Sequence, residues 1–314
     1  MEHIEVKYRN NCKHTYENNI SDVDVAASWE FKLKKESDND TGLRQPQFGA
    51  LTAIQSYWTI KDDVATIVMP TGTGKTETMI ATIVAEKIKH TLIIVPSDLL
   101  RTQTVKKVCD FGVLKNIGVV GKESIKPITL LLKSLPKEGE KISDILENTN
   151  VVVSTMSLVS KLSSADCDEL VHFTDLLIVD EAHHVAANSW SKFKSKFKEK
   201  KILQFTATPF RDDGKKVDGE IIYNFPLRKA QEQHYFQKIN FYPIYEFNEE
   251  KGDISIADKA VECLKADLKR GLKHILLVRT TSINRAHRLF EDIYSKYYSC
   301  LLYTSPSPRD STSS

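Results

Sequence analysis

The segment that most constrains this chain is VATIVMPTGTGKTETMIATIVAEK, Val64 to Lys87. Val64 to Met69 is apolar and rich in β-branched residues. It stops at Pro70, which cannot donate to a ladder, so the run reads as a buried strand. From Lys75 onward Met79, Ile80, Ile83, Val84 and Ile88 recur at helical spacing. Gly72 and Gly74 sit at the joint, where a backbone free of Cβ atoms can curl until several N–H groups point at one spot. The start of a helix adds partial positive charge there, so the joint is built to hold a phosphate. Lys75 would reach the terminal phosphates, and the Thr76 hydroxyl would bind Mg²⁺. The full form G-x-x-x-x-G-K-[ST] has glycine where this chain has Met69, while PTGTGKT keeps the lysine, the hydroxyl and both inner glycines. The plain alternative is a Gly-Thr turn with an exposed lysine, and the strand and helix on either side weigh against it.

Further strands are expected at 64–69, 91–95, 150–154, 175–179 and 202–206, with helices between. Near-continuous Val/Ile/Leu strands separated by helices imply an α/β fold around a parallel sheet covered on both faces, with ligands at the carboxyl ends of the strands. Residues 1–40 are polar and read as a linker or a small leading element. A second unit starts near 235, with strands expected at 238–247 and 273–280 and helices at 255–271 and 282–297. The Ser- and Pro-rich end, residues 300–314, reads either as a disordered tail or as the translation of a sequencing adapter. On the second reading the native chain stops near Ser299.

Composition excludes more than it assigns. The 314 residues suffice for about two domains. A net charge of +2 makes no global case for nucleic acid, although a groove can still be locally basic. The five cysteines form no C-x-x-C pair, against a zinc site or a disulfide framework. There is no apolar leader and no membrane-length run, so a soluble, cytoplasmic protein is expected.

A second chemical cluster follows the strand at 175–179. Asp180 can hold Mg²⁺ and Glu181 can orient or deprotonate an attacking water. His183 could report ligand state to a neighbouring loop, and His184 reads equally as a packing or capping residue. WSKFKSKFKEKK, Trp190 to Lys201, interleaves lysines with aromatics, but Trp190, Phe193 and Phe197 fall at helical spacing. That places the rings on a docked face and the lysines in solvent.

MPTGTGKTE, VDEAHH and FTATPFR, in this order at strand ends, resemble motifs I, II and III of superfamily 2 DEAD/DEAH-type helicases and translocases. The restriction-enzyme R-subunit group of double-stranded DNA motors is the most similar, over residues 40–290. The resemblance implies a RecA-like P-loop NTPase domain over 41–230 and the start of a second RecA-like domain over 235–299. It implies an ATP- and Mg²⁺-dependent motor on nucleic acid, with DNA preferred because TATPFR resembles the DNA-directed branches.

On the same resemblance Lys75, Asp180 and Glu181 are catalytic, and Thr76 and Asp180 hold the metal. Arg44, Gln47, Thr71, Gly72, Thr73, Gly74, Lys75, Thr76 and Glu77 bind the nucleotide, Gln47 through adenine. Pro96, Ser97, Arg101, Gln103, Ser154 and Thr155 touch the nucleic-acid backbone, a role that leaves Ser97 free to be also a helix N-cap. His183, Thr206 and Thr208 couple hydrolysis to movement, and Arg279 stands in the segment similar to motif IV. Motifs V and VI are not in this sequence. Motif VI supplies an arginine finger worth about 10³–10⁵ in rate, so this chain alone should hydrolyse ATP poorly. Alternatives are a regulatory nucleotide switch without motor activity and a subunit of a restriction or defence complex, with a nuclease or specificity subunit as partner.

Overall fold

A computed structural model gives the structure for residues 3–8, 11–16, 24–182, 187–210, 214, 216–237 and 239–296. The chain divides into two compact units, with the boundary between Gln237 and Lys238.

Unit 1 is built on one nine-stranded sheet. Its strands are β1 (His3–Tyr8), β2 (Asn11–Tyr16), β3 (Ala65–Val68), β4 (Thr91–Val95) and β5 (Thr129–Leu131). They continue with β6 (Val151–Thr155), β7 (Leu176–Val179), β8 (Lys201–Thr206) and β9 (Glu220–Asn224). The spatial order is β1-β2-β5-β6-β4-β7-β8-β3-β9. From β5 to β9 every neighbouring pair is parallel, while β1 and β2 form an antiparallel hairpin on the β5 edge.

The apolar runs are continuous because both faces of the sheet are covered. Along β4, Ile93 and Val95 join one cluster while Leu92 and Ile94 join the other. The first face carries α1 (Gln45–Trp58), α2 (Lys75–Ala85) and α3 (Asp98–Cys109), through Leu51, Ile54, Met79, Ile83, Val105 and Val108. The second carries α4 (Ile142–Leu146), α6 (Ser164–Phe173) and α7 (Ala187–Ser195), with the short α5 (Met156–Val159) following β6. On α7 Trp190 and Phe193 are buried, as is Phe197 beyond its end, and the last two rings lie 5.0 Å apart. The aromatic face is docked, as its spacing predicts.

The α/β architecture with a central parallel sheet agrees with the expectation, and the strands expected at 64–69, 91–95, 150–154, 175–179 and 202–206 match β3, β4, β6, β7 and β8 within a residue or so. Among the described residues the polar first forty contain the β1–β2 hairpin, the small leading element of the two readings, and Trp29 is buried edge-on to Phe111 with its indole N–H donated to Ile125 O at 2.9 Å. Two strands differ from the expectation. β5 and β9 are not expected, one being three residues long and the other a partly exposed edge strand of sequence EIIYN.

Unit 2 differs more. It holds α9 (Glu249–Lys269) and α10 (Ile283–Leu289), the latter running into a π-helical turn (Phe290–Ser295), with α8 (Leu227–Glu232) closing unit 1 before it. Arg285 bridges the helices through Glu249 and through Asp253 at 2.8 Å. The strands expected at 238–247 and 273–280 are absent from the described residues there. Phe241, Tyr245, Ile275 and Leu277 are each more than four-fifths exposed. Two lone extended segments are marginal as a sheet, so their apolar pattern alone does not make strands. Residues 297–314, including the expected tail, lie outside the described residues. Among the described residues no helix is long and apolar enough to cross a membrane, and none of the free cysteines forms a disulfide.

Phe197 is fully buried and Lys198 exposed, so the docking of α7 has a direct test. Phe197→Ala should lower unfolding free energy by about 3–5 kcal/mol, and Lys198→Ala by less than about 0.5, measured by urea denaturation.

Candidate functional site

The site forms where β3 and β7 end. One strand, β8, separates them, which at normal strand spacing places them about 10 Å apart. The Met69 N–H donates to Thr206 O at 2.9 Å, carrying the pairing one residue past β3. The turn then closes on itself: Thr73 donates to Pro70 O through its hydroxyl (2.6 Å) and its N–H (3.2 Å). Gly72 and Gly74 take φ of +89° and +95°, the left-handed region. At Gly74 a Cβ would also stand 2.1 Å from Gln47 Nε2, so only glycine fits. Gly74 is the N-cap of α2, and its carbonyl accepts the Thr78 N–H at 3.0 Å and the Thr78 hydroxyl at 2.9 Å. Lys75 thus opens the helix with its side chain buried.

β7 delivers the carboxylates. The Asp180 N–H donates to Ile94 O at 2.8 Å, holding the strand end in the sheet. Glu181 follows at φ +49°, and its N–H donates to Asp180 Oδ1 at 3.0 Å. The turn sends the Glu181 carboxylate onto the Lys75 ammonium, and the two form an ion pair with 7% and 15% of their side chains exposed. Asp180 is 8% exposed. Burial pushes its carboxyl up to about 6, Lys75 opposes the rise, and the neighbouring Glu181 charge adds to it.

These groups face one cavity of about 560 Å³. Of the expected site residues, Arg44, Gln47, Thr71, Gly72, Gly74, Lys75, Thr76, Glu77, Asp180 and Glu181 line it. Thr73 does not, being buried in the turn. Gln47 sits at the start of α1, its Oε1 accepting the Arg44 N–H at 2.8 Å while its amide nitrogen lies against Gly74. Thr76 and Asp180 offer a hydroxyl and a buried carboxylate, a hard oxygen pair suited to Mg²⁺ completed by waters and phosphate oxygens. Among the described residues no group of three or more His, Cys, Asp or Glu could hold a metal alone.

Most of the residues expected on nucleic acid lie around the carboxyl ends of the adjacent strands β4 and β6, where Ile94 and Val95 pair with Ser154 and Thr155, but they differ in exposure. Pro96 and Ser97 are exposed, and Ser97 caps α3 by accepting the Leu100 N–H at 3.3 Å. Arg101 is buried, donating to Leu132 O at 3.2 Å and pairing with Asp98 at 3.0 Å. The buried Ser154 hydroxyl donates to the same carbonyl at 3.4 Å, and Thr155 Oγ1 lies 3.1 Å from Ser157 Oγ. Gln103 lines the cavity beside the glycine turn. Leu100, Gln103 and Lys107 share one face of α3, so i, i+3, i+7 spacing could have revealed this. Lys107 was not singled out, and it pairs with Glu77 at 2.7 Å. Glu36, Gly42, Val113 and Ile117 complete the wall with no signal in the sequence.

Thr206 ends β8 and donates its hydroxyl to Thr208 O at 2.7 Å, while the Thr208 hydroxyl donates to Phe210 O at 3.1 Å. Thr206 thereby touches both the β3 end and the following turn. His183 and His184 lie outside the described residues, and Arg279 is exposed in unit 2.

A profile of the family described as "Type III restriction enzyme, res subunit" matches residues 40–211, the span that holds Arg44 to Thr208. The chain is similar to the DNA 3′-5′ translocase XPB2 of Sulfurisphaera tokodaii, 31% identical over 288 residues, covering 85% of this chain and 54% of that protein. It spans about half the length of the curated relatives it matches. Among solved structures it is similar to the UvsW helicase of bacteriophage T4, 17% identical over 57% of each chain with a TM-score of 0.38. It is also similar to a nuclease-deletion mutant of the Type ISP restriction-modification enzyme LlaGI in complex with a DNA substrate mimic. That match is 20% identical, covers 72% of this chain and 22% of that one, and has a TM-score of 0.42.

The buried carboxyl of Asp180 has a thermodynamic consequence. Its folded pKa is raised from 3.8 to about 6, so between those values the folded chain holds a proton that the unfolded chain releases. The penalty for burying the charge is therefore full above about pH 6 and disappears as pH falls toward about 4. Asp180→Asn should raise the unfolding free energy, without added nucleotide, by up to about 3 kcal/mol at neutral pH. The gain should vanish near pH 4, as followed by denaturant melts across pH.

Proposed function

This chain belongs to the family of the type III restriction enzyme res subunit, a helicase- and translocase-like family, and on that premise we propose that it is the ATP-hydrolysing part of a motor that moves on double-stranded DNA. The observation that carries the reading is the convergence of Lys75, Thr76, Asp180 and Glu181 on one cavity beside a glycine loop at the start of α2.

In this reading the loop N–H groups and Lys75 cradle the triphosphate, and Gln47 and Arg44 meet the nucleoside end. Thr76 and Asp180 would hold Mg²⁺, whose positive charge would help neutralise the charge developing on the phosphates. Binding has an electrostatic condition. Lys75 is paired with Glu181, so the phosphates must draw the ammonium away from that carboxylate. Glu181, once released, is an anion next to the transferring phosphate and can orient or deprotonate the attacking water. Thr206 and Thr208 would pass the change from the strand ends to the following turn.

The DNA preference draws on the name of one relative, a DNA 3′-5′ translocase. Pro96 and Ser97 supply the exposed surface for a backbone contact. We place the protein in the cytoplasm, with a nuclease or specificity subunit as a candidate partner. One observation favours a second reading, a regulatory switch without motor activity. Arg101, Ser154 and Thr155 are turned inward and bonded to protein, so they offer no phosphate contact as they stand.

ATPase rates of the full-length gene product with double-stranded DNA, with RNA and with neither decide between the two. The motor reading predicts strong stimulation by DNA and little by RNA, with Lys75→Ala lowering the stimulated rate by about 10²-fold or more. A rate indifferent to any nucleic acid would establish the switch in its place.

A further inference from the structure

The phosphate loop is braced from outside its cavity by two aromatic residues that close unit 1. Phe236 packs on Gly72: a Cβ at that glycine would stand 3.1 Å from the ring's Cε1. Tyr235 meets the segment that leads into α1. Its hydroxyl accepts the Gln45 N–H at 3.3 Å, and the Arg44 guanidinium lies over its ring at 5.8 Å. Gln233 Nε2 donates to Gln45 Oε1 at 2.7 Å, a second tie between the same two segments. Neither ring lines the cavity, while Arg44 and Gly72 both do.

The brace is itself anchored. The Tyr235 N–H donates to Ala230 O at 2.9 Å, and the Tyr235 ring meets Phe225 edge-on at 6.2 Å. His234, at φ +59°, turns the chain so that Tyr235 and Phe236 face the loop. Phe236 is followed by Gln237, the last residue of unit 1.

From this geometry we infer that Tyr235 and Phe236 are positioning residues for the nucleotide. They form a strap that holds the loop and Arg44 ready and senses occupancy where the chain leaves unit 1. The inference rests on the nucleotide reading of the cavity given above. Its physical basis is pre-organisation. Gly72 has the widest backbone freedom of any residue, and a ring against it removes conformers that ligand binding would otherwise have to suppress. The guanidinium over the Tyr235 ring confines Arg44 to the cavity rim in the same way. Coupling is reciprocal: a strap that favours binding must itself be tightened by the ligand.

The test uses the full chain, a fluorescent ATP analogue with Mg²⁺ for affinity, and hydrogen exchange of amides 233–237 with a non-hydrolysable ATP analogue. In the wild type the analogue should slow exchange at 233–237 by about tenfold, although these residues do not line the cavity. Phe236→Ala should weaken binding by about tenfold and remove that protection, and Phe236→Tyr, which keeps the ring, should restore both. Tyr235→Phe should stay near wild type through its ring, whereas Tyr235→Ala should weaken binding. Wild-type binding with unchanged exchange at 233–237, or wild-type affinity in a folded Phe236→Ala, would overturn the strap while leaving the nucleotide site standing. Failure of the wild type to bind the analogue at all would overturn the nucleotide reading and the strap with it.

Discussion

The ion pair between Lys75 and Glu181 is the interaction on which the rest of the site depends. It joins the glycine turn before α2 to the carboxylate turn across an intervening strand, and both side chains are largely withdrawn from water. In such surroundings either partner left alone would be strongly unfavourable, so the pair fixes the loop relative to the strand end. It also sets the terms of ligand entry. On the proposed function, a phosphate would take the lysine by offering more negative charge than one carboxylate, and the displaced Glu181 carboxylate would then stand beside the reacting atoms.

The sheet makes that pair possible. β3, β8 and β7 run in one direction, so their carboxyl ends present Pro70, Thr206 and Asp180 along one edge. Helices on both faces keep that edge rigid by burying Ile93 and Val95 on one side and Leu92 and Ile94 on the other. Rigidity allows unfavourable features to persist at the edge. Asp180 is buried with its carboxyl pushed up to about 6, and Glu181 holds a left-handed backbone. Strain and buried charge of this kind survive where the surrounding scaffold over-determines them, and they gather at functional sites.

The legible part of the sequence is the part in which local chemistry and fold agree. VATIVMPTGTGKTE carries strand, turn and helix signals in a row, and LLIVDE carries an apolar strand stopped by two acids, so the elements and their cavity-facing residues could be read directly. The hidden part depends on partners. HILLVRT has the apolar content of the TLIIVP strand, yet it pairs with no strand among the described residues and stays irregular and largely exposed in unit 2. Arg101 looks like a surface arginine at a helix start. It is buried because α3 turns Arg101, Thr104, Val105 and Val108 toward the sheet and Gln103 and Lys107 toward the cavity. Tyr235 and Phe236 carry no motif, because their position against the loop follows from the turn at His234.

Competition between Glu181 and the phosphates for Lys75 can be read from melting temperature with and without a non-hydrolysable ATP analogue and Mg²⁺, in the wild type and Glu181→Gln. Without the analogue Glu181→Gln should melt lower, because the buried lysine loses its partner. With the analogue its upward shift should exceed that of the wild type, reflecting affinity raised by about tenfold or more. An equal or smaller shift in Glu181→Gln would show that the ion pair does not oppose binding.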